Sequence, residues 1–157
     1  MTKATILLAV LLFVAGRPSA QITVNGPSTA TNVPIGKAKS VGSTIAELYY
    51  LVNGRDTTCI LMYENAKFKD TKPKVFDFQS VSFKPWDGTV EKLYQVFKSV
   101  FAEGNRDNKS FRVSITLGRE NVSIGHYKSL GFTMAEFRSE KGFFRVTEKQ
   151  TDKLFGK

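Results

Sequence analysis

Few residues in this chain have side chains suited to chemistry. His126 is the only histidine and Cys59 the only cysteine among 157 residues. Neither a multi-histidine metal site nor a four-ligand Cys/His zinc site can be assembled from them, and no intramolecular disulfide can form. A Cys59–His126 dyad is formally available. Both residues lie inside apolar strand patterns, however, where a lone cysteine behaves as a small buried hydrophobe. The imidazole is expected at the rim of the core, satisfied by a hydrogen bond. A Ser-His-Asp triad would need the same histidine, and no serine stands in a Gly-x-Ser-x-Gly elbow. Asp77, Glu120 and Glu136 are carboxylates that could converge for glycoside hydrolysis, although acids near turns are ordinarily solvated. There is no Walker A loop and no Gly-x-Gly-x-x-Gly, so no cofactor is expected.

Binding residues are easier to nominate. Lys67, Lys69, Lys72 and Lys74 crowd the stretch ENAKFKDTKPK, with Asp70 the one acid inside the cluster. Such a loop can grip phosphates or uronates; equally, lysines keep an edge strand soluble, and the edge reading is preferred. Tyr49, Tyr50, Phe76, Phe78 and Trp86 are too many aromatics for one core stripe. Some should line a groove, and Trp86 is the candidate for exposure. With 23 Lys plus Arg against 14 Asp plus Glu, the formal net charge is +9. A basic balance favours acidic partners: nucleic acid, anionic lipid headgroups or acidic polysaccharide. Lys141-Gly142-Phe143-Phe144 resembles the opening of the aromatic strand of RNA-recognition motifs, but the later positions depart from that pattern, and nucleic acid is not the expected partner.

The N-terminus bears on the compartment. Met1–Lys3 is basic, Ala4–Gly16 is apolar and Arg17-Pro18-Ser19-Ala20 follows, the layout of a secretory signal peptide cleaved after Ala20. The apolar run is shorter than the ~20 residues of a membrane span, so no transmembrane segment is expected once the signal is removed. The segment resembles bacterial export signals. An exported chain without disulfides must rely on its core, which fits a bacterial periplasmic or outer-surface protein.

Residues 21–43, rich in Asn, Gly, Pro and Ser, read as a linker or N-terminal arm. One globular domain spans residues 44–157. Ile45–Val52 and Thr57–Tyr63, joined through Asn53-Gly54, form a hairpin. Both runs are apolar on both faces, so the hairpin needs covering twice, once by a helix and again by a second sheet, a loop or a partner. Val75–Phe83 is a further strand. Thr89–Phe101 places Val90, Leu93, Tyr94, Phe97, Val100 and Phe101 on one helical face, capped at Asp87 or Gly88 and stopped at Gly104-Asn105. Strands follow at Phe111–Leu117, from Val122, at Phe132–Phe137 and at Phe143–Val146. Thr147–Gln150 is a capping box opening a short last helix.

These elements predict an α+β fold: a mostly antiparallel curved sheet of about six to eight strands, a central amphipathic helix (about 88–103) packed on it and a short C-terminal helix (about 147–155). A small β-barrel with the helix at its mouth is the alternative. The functional expectation is an exported, non-enzymatic binding or envelope-associated module that contacts an acidic polymer or a protein partner. The alternative is a carboxylate-dependent hydrolase acting on a cell-wall or extracellular polysaccharide.

Overall fold

The computed structural model describes residues 29–68, 73 and 75–157. The expected signal segment, residues 1–20, lies outside them. The predicted hairpin forms, with its loop one residue later than Asn53-Gly54, at Gly54-Arg55: β2 (Ser43–Asn53) pairs antiparallel with β3 (Asp56–Glu64), Ala46 opposite Tyr63 and Asn53 opposite Asp56. β1 (Thr31–Ser40) borders β2, and β4 (Phe78–Phe83) borders β3, giving a four-stranded meander. The stretch read as linker or arm is, from Thr31, an ordered arm that pairs along the edge of the sheet with β2. Its turn-forming residues are absorbed as irregularities. The register with β2 shifts between Pro34 and Gly36 and again between Ala38 and Lys39, and proline is tolerated on an edge strand.

After β4, Gly88 sits in the left-handed region as N-cap of α1 (Thr89–Ser99). Leu93 and Phe97 are its buried residues, while Val100 and Phe101 are buried just beyond its end. The helix is shorter than the 88–103 expected. The chain then forms a second antiparallel meander: β5 (Arg112–Leu117), β6 (Glu120–Ser129), β7 (Phe132–Ser139) and β8 (Gly142–Val146). α2 (Glu148–Leu154) follows, with the full capping box between Thr147 and Gln150.

The α+β class stands, but one curved sheet is corrected to two open sheets of four strands each, and neither is a closed barrel. The helix between β4 and β5 interrupts the hydrogen-bonded ladder, so each meander closes its own sheet. Their apolar faces share a single core, in which Leu48, Leu61 and Val81 of the first sheet join Ile124, Phe137 and Phe144 of the second, with Phe97, Leu154 and Phe155 from the helical segments. Phe97 stacks on Phe137 and Phe144 at 6.2 Å each and tilts against Phe155 at 5.5 Å. α2 lies along β1 because Gly36 has no side chain: a Cβ there would sit 2.1 Å from the Lys153 carbonyl oxygen. The second sheet and the helices thus cover one face of the β2–β3 hairpin. On the other face Tyr49, Leu51, Ile60 and Met62 stay half-buried.

Candidate functional site

Of the nominated lysines, Lys67 is exposed on a 3-10 turn (Ala66–Phe68), its ammonium 5.6 Å from the Phe68 ring. Lys69, Lys72 and Lys74 lie outside the described residues. Trp86 is 66% exposed and, with Tyr50 and Val33, lines a surface cleft of about 430 Å³ beside Asp56 and Thr57. Lys67 follows the end of β3 and Trp86 sits beside its start. At the rise of a strand they are separated by roughly 25 Å, so they do not share a site.

The nucleophile–base pair has no chemical basis. Burial pushes the Cys59 thiol up to about 12, leaving about one molecule in 10⁵ as thiolate at neutral pH. His126 is buried, and its Nε2 has no hydrogen-bond partner among the described residues. The expectation of a satisfied imidazole at the core rim is corrected accordingly. β6 turns this side chain to the same buried face as Val122 and Ile124, near enough to Asp107 to act on its charge.

The three carboxylates are each held by at least one partner, although Glu120 Oε2 is buried without one among the described residues. Asp77 accepts from Asn65 Nδ2 at 2.9 Å and Gln79 Nε2 at 2.6 Å. Glu120 accepts from Lys141 Nζ at 2.6 Å. Glu136, 4% exposed, is surrounded by guanidinium groups: Arg138 at 2.9 Å, Arg145 at 2.8 Å and Arg112 at 3.5 Å. Burial alone would raise its pKa, but hydrogen bonds from Arg138 and Arg145 together with their charges outweigh this and hold the carboxyl below its usual range. Arg145 also lies 3.5 Å from the Tyr127 ring centre and Arg138 4.6 Å from that of Phe143. This cluster braces the outer face of the second sheet, with three guanidinium groups sharing one carboxylate.

Two features at one end of the molecule went unsingled by sequence reasoning. The first is a pair of two-residue hairpin loops, each an aliphatic residue followed by glycine: Val41-Gly42 between β1 and β2, and Leu130-Gly131 between β6 and β7. Val41 is fully exposed and Leu130 94% exposed, with Phe132 exposed beside it. The second is a cavity of about 280 Å³ between the loops, at the seam where β8 meets the ends of β2 and β3. Ser40 and Ser43 bring the first loop to its wall, Ser129 and Met134 the second. Glu64, the last residue of β3, lines it at 8% exposure, and its carboxylate has no hydrogen bond or ion pair among the described residues. A signal for the loops was present in the sequence, since Leu-Gly replaces the Asn-Gly expected of such a turn. For the cavity there was none, because its lining comes from residues 40 to 150.

Among the described residues no helix is long and apolar enough to cross a membrane, and no group of three His, Cys, Asp or Glu is placed to hold a metal ion. The chain matches no protein-family model, no curated protein and no solved structure.

Proposed function

We propose that this chain is an exported, non-enzymatic, envelope-associated module that docks the end bearing Val41, Leu130 and Phe132 onto an anionic lipid surface. One observation carries the reading. Leu130 has φ 48° and Gly131 φ 83°, the two left-handed positions of a type I′ turn, which favour Asn-Gly. A leucine there costs about 1–2 kcal/mol relative to residues suited to the conformation, and its side chain gains no burial in exchange. Strain kept at an exposed apolar tip points to a use outside the folded chain. Burying such side chains in a bilayer interface recovers ~2 kcal/mol each.

Charge supports the choice of partner. Gln150 donates to the Lys39 carbonyl at 2.8 Å, which ties the Val41 loop to α2. Lys149, Arg106 and Phe132 line one shallow surface beside the other loop. Lys39 and Lys149 are exposed around the tips, whereas Lys128 is paired with Asp107 at 3.1 Å and Arg106 with Glu148 at 3.6 Å. Each basic group near an anionic membrane adds about 1 kcal/mol, and one-residue apolar insertions combined with basic flanks suit reversible surface binding.

Sedimentation with vesicles tests this. The protein should pellet with phosphatidylserine–phosphatidylcholine vesicles and less with phosphatidylcholine alone, and salt should release it. Leu130→Gly relaxes the backbone, so it should keep or raise stability while weakening vesicle binding. Unchanged binding by a Val41→Asp/Leu130→Asp double variant would overturn the reading. For the export component, N-terminal sequencing of material from the producing cell should begin at Gln21, and recovery of Met1 would remove that component.

A further inference from the structure

The seam cavity holds a different kind of information from the apolar tips. An ionised carboxylate is an acceptor with no proton of its own to give. Buried carboxylates are as a rule paired with cations or backbone N–H groups, as Glu136 is here with three arginines. Glu64 is nine-tenths buried as a residue and has no ion pair among the described residues, but its carboxylate oxygens are not among the side-chain atoms sealed off without a partner, so they meet the open volume of about 280 Å³ that the residue lines. That volume is slightly below the range of drug-sized pockets and corresponds to about nine waters at ~30 Å³ each, room for a small molecule or headgroup.

Arg145 lines the same cavity without answering Glu64. Its Nε donates to Glu136 at 2.8 Å, a terminal nitrogen lies 2.8 Å from the same carboxylate, and the guanidinium stacks on Tyr127. The remaining polar wall is mostly hydroxyl: Ser40, Ser43, Ser129 and Thr147. The Thr147 hydroxyl is taken up in the capping box, and the serine hydroxyls can accept or donate, so the lining offers one acid and three serine hydroxyls beside the already paired Arg145. Ile45 and Met134 supply apolar wall. A single acid with no second carboxylate, histidine or thiol in the lining does not suit a metal ion.

We infer that the seam cavity binds the primary ammonium group of a small polar molecule or headgroup, with Glu64 as its counter-ion. An ammonium has three donors: one meets the Glu64 carboxylate and the others reach serine hydroxyls, while the short carbon stem lies against Ile45 and Met134. A free amine and an aminophospholipid headgroup share this chemistry. The inference stands on Glu64 and not on the hairpin tips.

The test is titration of isotope-labelled protein with ethanolamine at neutral pH, followed by amide chemical shifts. Saturable shifts should centre on Ser43, Glu64 and Ser129. Glu64→Gln should weaken the affinity by about tenfold or more, the loss of one charge-assisted contact. Ser43→Leu, which fills the mouth and leaves the charge in place, should do the same. Vesicles of phosphatidylethanolamine and phosphatidylcholine, mixed and compared with phosphatidylcholine alone, then separate the two sources. Glu64-dependent binding to these vesicles assigns the headgroup, and Glu64-dependent binding to ethanolamine alone assigns the free amine. A cavity that is merely solvated would give no saturable shift with ethanolamine and no gain with phosphatidylethanolamine. That result, or equal binding by Glu64→Gln, overturns the inference. Unchanged vesicle binding in the loop variants, with ethanolamine binding intact, would instead sink only the membrane reading.

Discussion

Arg112 and Glu136 stand on strands that are not neighbours, yet their side chains approach to 3.5 Å. The residue between them in the register is Gly125, opposite Arg112 on one side and Glu136 on the other, with Arg145 completing the row. A Cβ at 125 would lie 3.1 Å from the Arg112 guanidinium carbon and 3.0 Å from the Phe111 carbonyl oxygen. The missing side chain is the passage by which Arg112 crosses β6. The acid then ties three of the four strands of the second sheet on a face that has no apolar cover.

That arrangement fixes a pH dependence. The folded Glu136 carboxyl titrates below its ordinary value near 4.5. A lowered folded pKa contributes stability that is fully present above the unfolded value and lost as pH falls through the folded one. Glu136→Gln should destabilise at neutral pH by about 1–3 kcal/mol, because three guanidinium groups lose their counter-charge but remain open enough to hydrate. Urea melts of both proteins should begin to converge as pH falls below about 4.5 and meet once it has passed below the lowered folded pKa. A difference that stays constant down to pH 2 would mean that the arginines do not set the titration.

Asn65 and Gly142 join the two sheets. Asn65 donates to Asp77 and to the Lys141 carbonyl, and accepts from the Phe143 and Lys67 amides. Gly142 has φ 152°, and a Cβ there would fall 2.4 Å from the Asn65 amide group. Gly142→Ala should cost about 2–4 kcal/mol from clash and backbone strain together. The clash component should vanish in an Asn65→Ala background, so the double-mutant cycle should show a coupling of about 1 kcal/mol or more. Strict additivity would place the whole cost in the backbone.

The contrast between what was readable and what was not follows the range of the interactions. The Asn53-Gly54 hairpin, the apolar face of Thr89–Phe101 and the Thr147–Gln150 box are specified within a few residues, and each forms. β1 was legible only as a linker or arm because Pro34 and Gly36 read as breakers. On an edge strand one supplies no ladder donor where none is needed, and the other makes room for the Lys153 backbone. The number of sheets depends on whether β4 and β5 pair across α1, a question of tertiary packing that no local pattern encodes. Glu64 was legible only as one more acid in a polar stretch; its isolation appears when Ser40, Ser129 and Gln150 arrive from distant strands and α2.

Cys59 should be inert in the folded protein. With the thiol at about 12 and no exposed surface, a disulfide-exchange reagent at pH 8 should react only as fast as the chain opens, and at once in denaturant. Rapid native-state labelling would show that the β3–β4 region opens locally. Cys59→Ser should cost about 1–3 kcal/mol by burying an unpaired hydroxyl while leaving vesicle and amine binding unchanged.

Phe97 decides whether α1 is part of the core or a strap across it. Its ring touches Phe137 and Phe144 of the second sheet and Phe155 beyond α2, and it is fully buried. Removing it leaves a space bounded by three other aromatic rings, which cannot collapse without moving β7, β8 and the C-terminal segment together. Phe97→Ala should therefore cost about 3–5 kcal/mol, and Phe97→Asp, which buries an unpaired charge, should unfold the domain. Lys98, the next residue on the helix, pairs with Glu148 at 2.7 Å and Asp152 at 3.2 Å, but these groups are partly exposed. Lys98→Ala should cost under about 1 kcal/mol. If the two alanine variants melted alike, α1 would be held by its surface ion pairs, and the shared core would have to be assigned to the sheets and α2 alone.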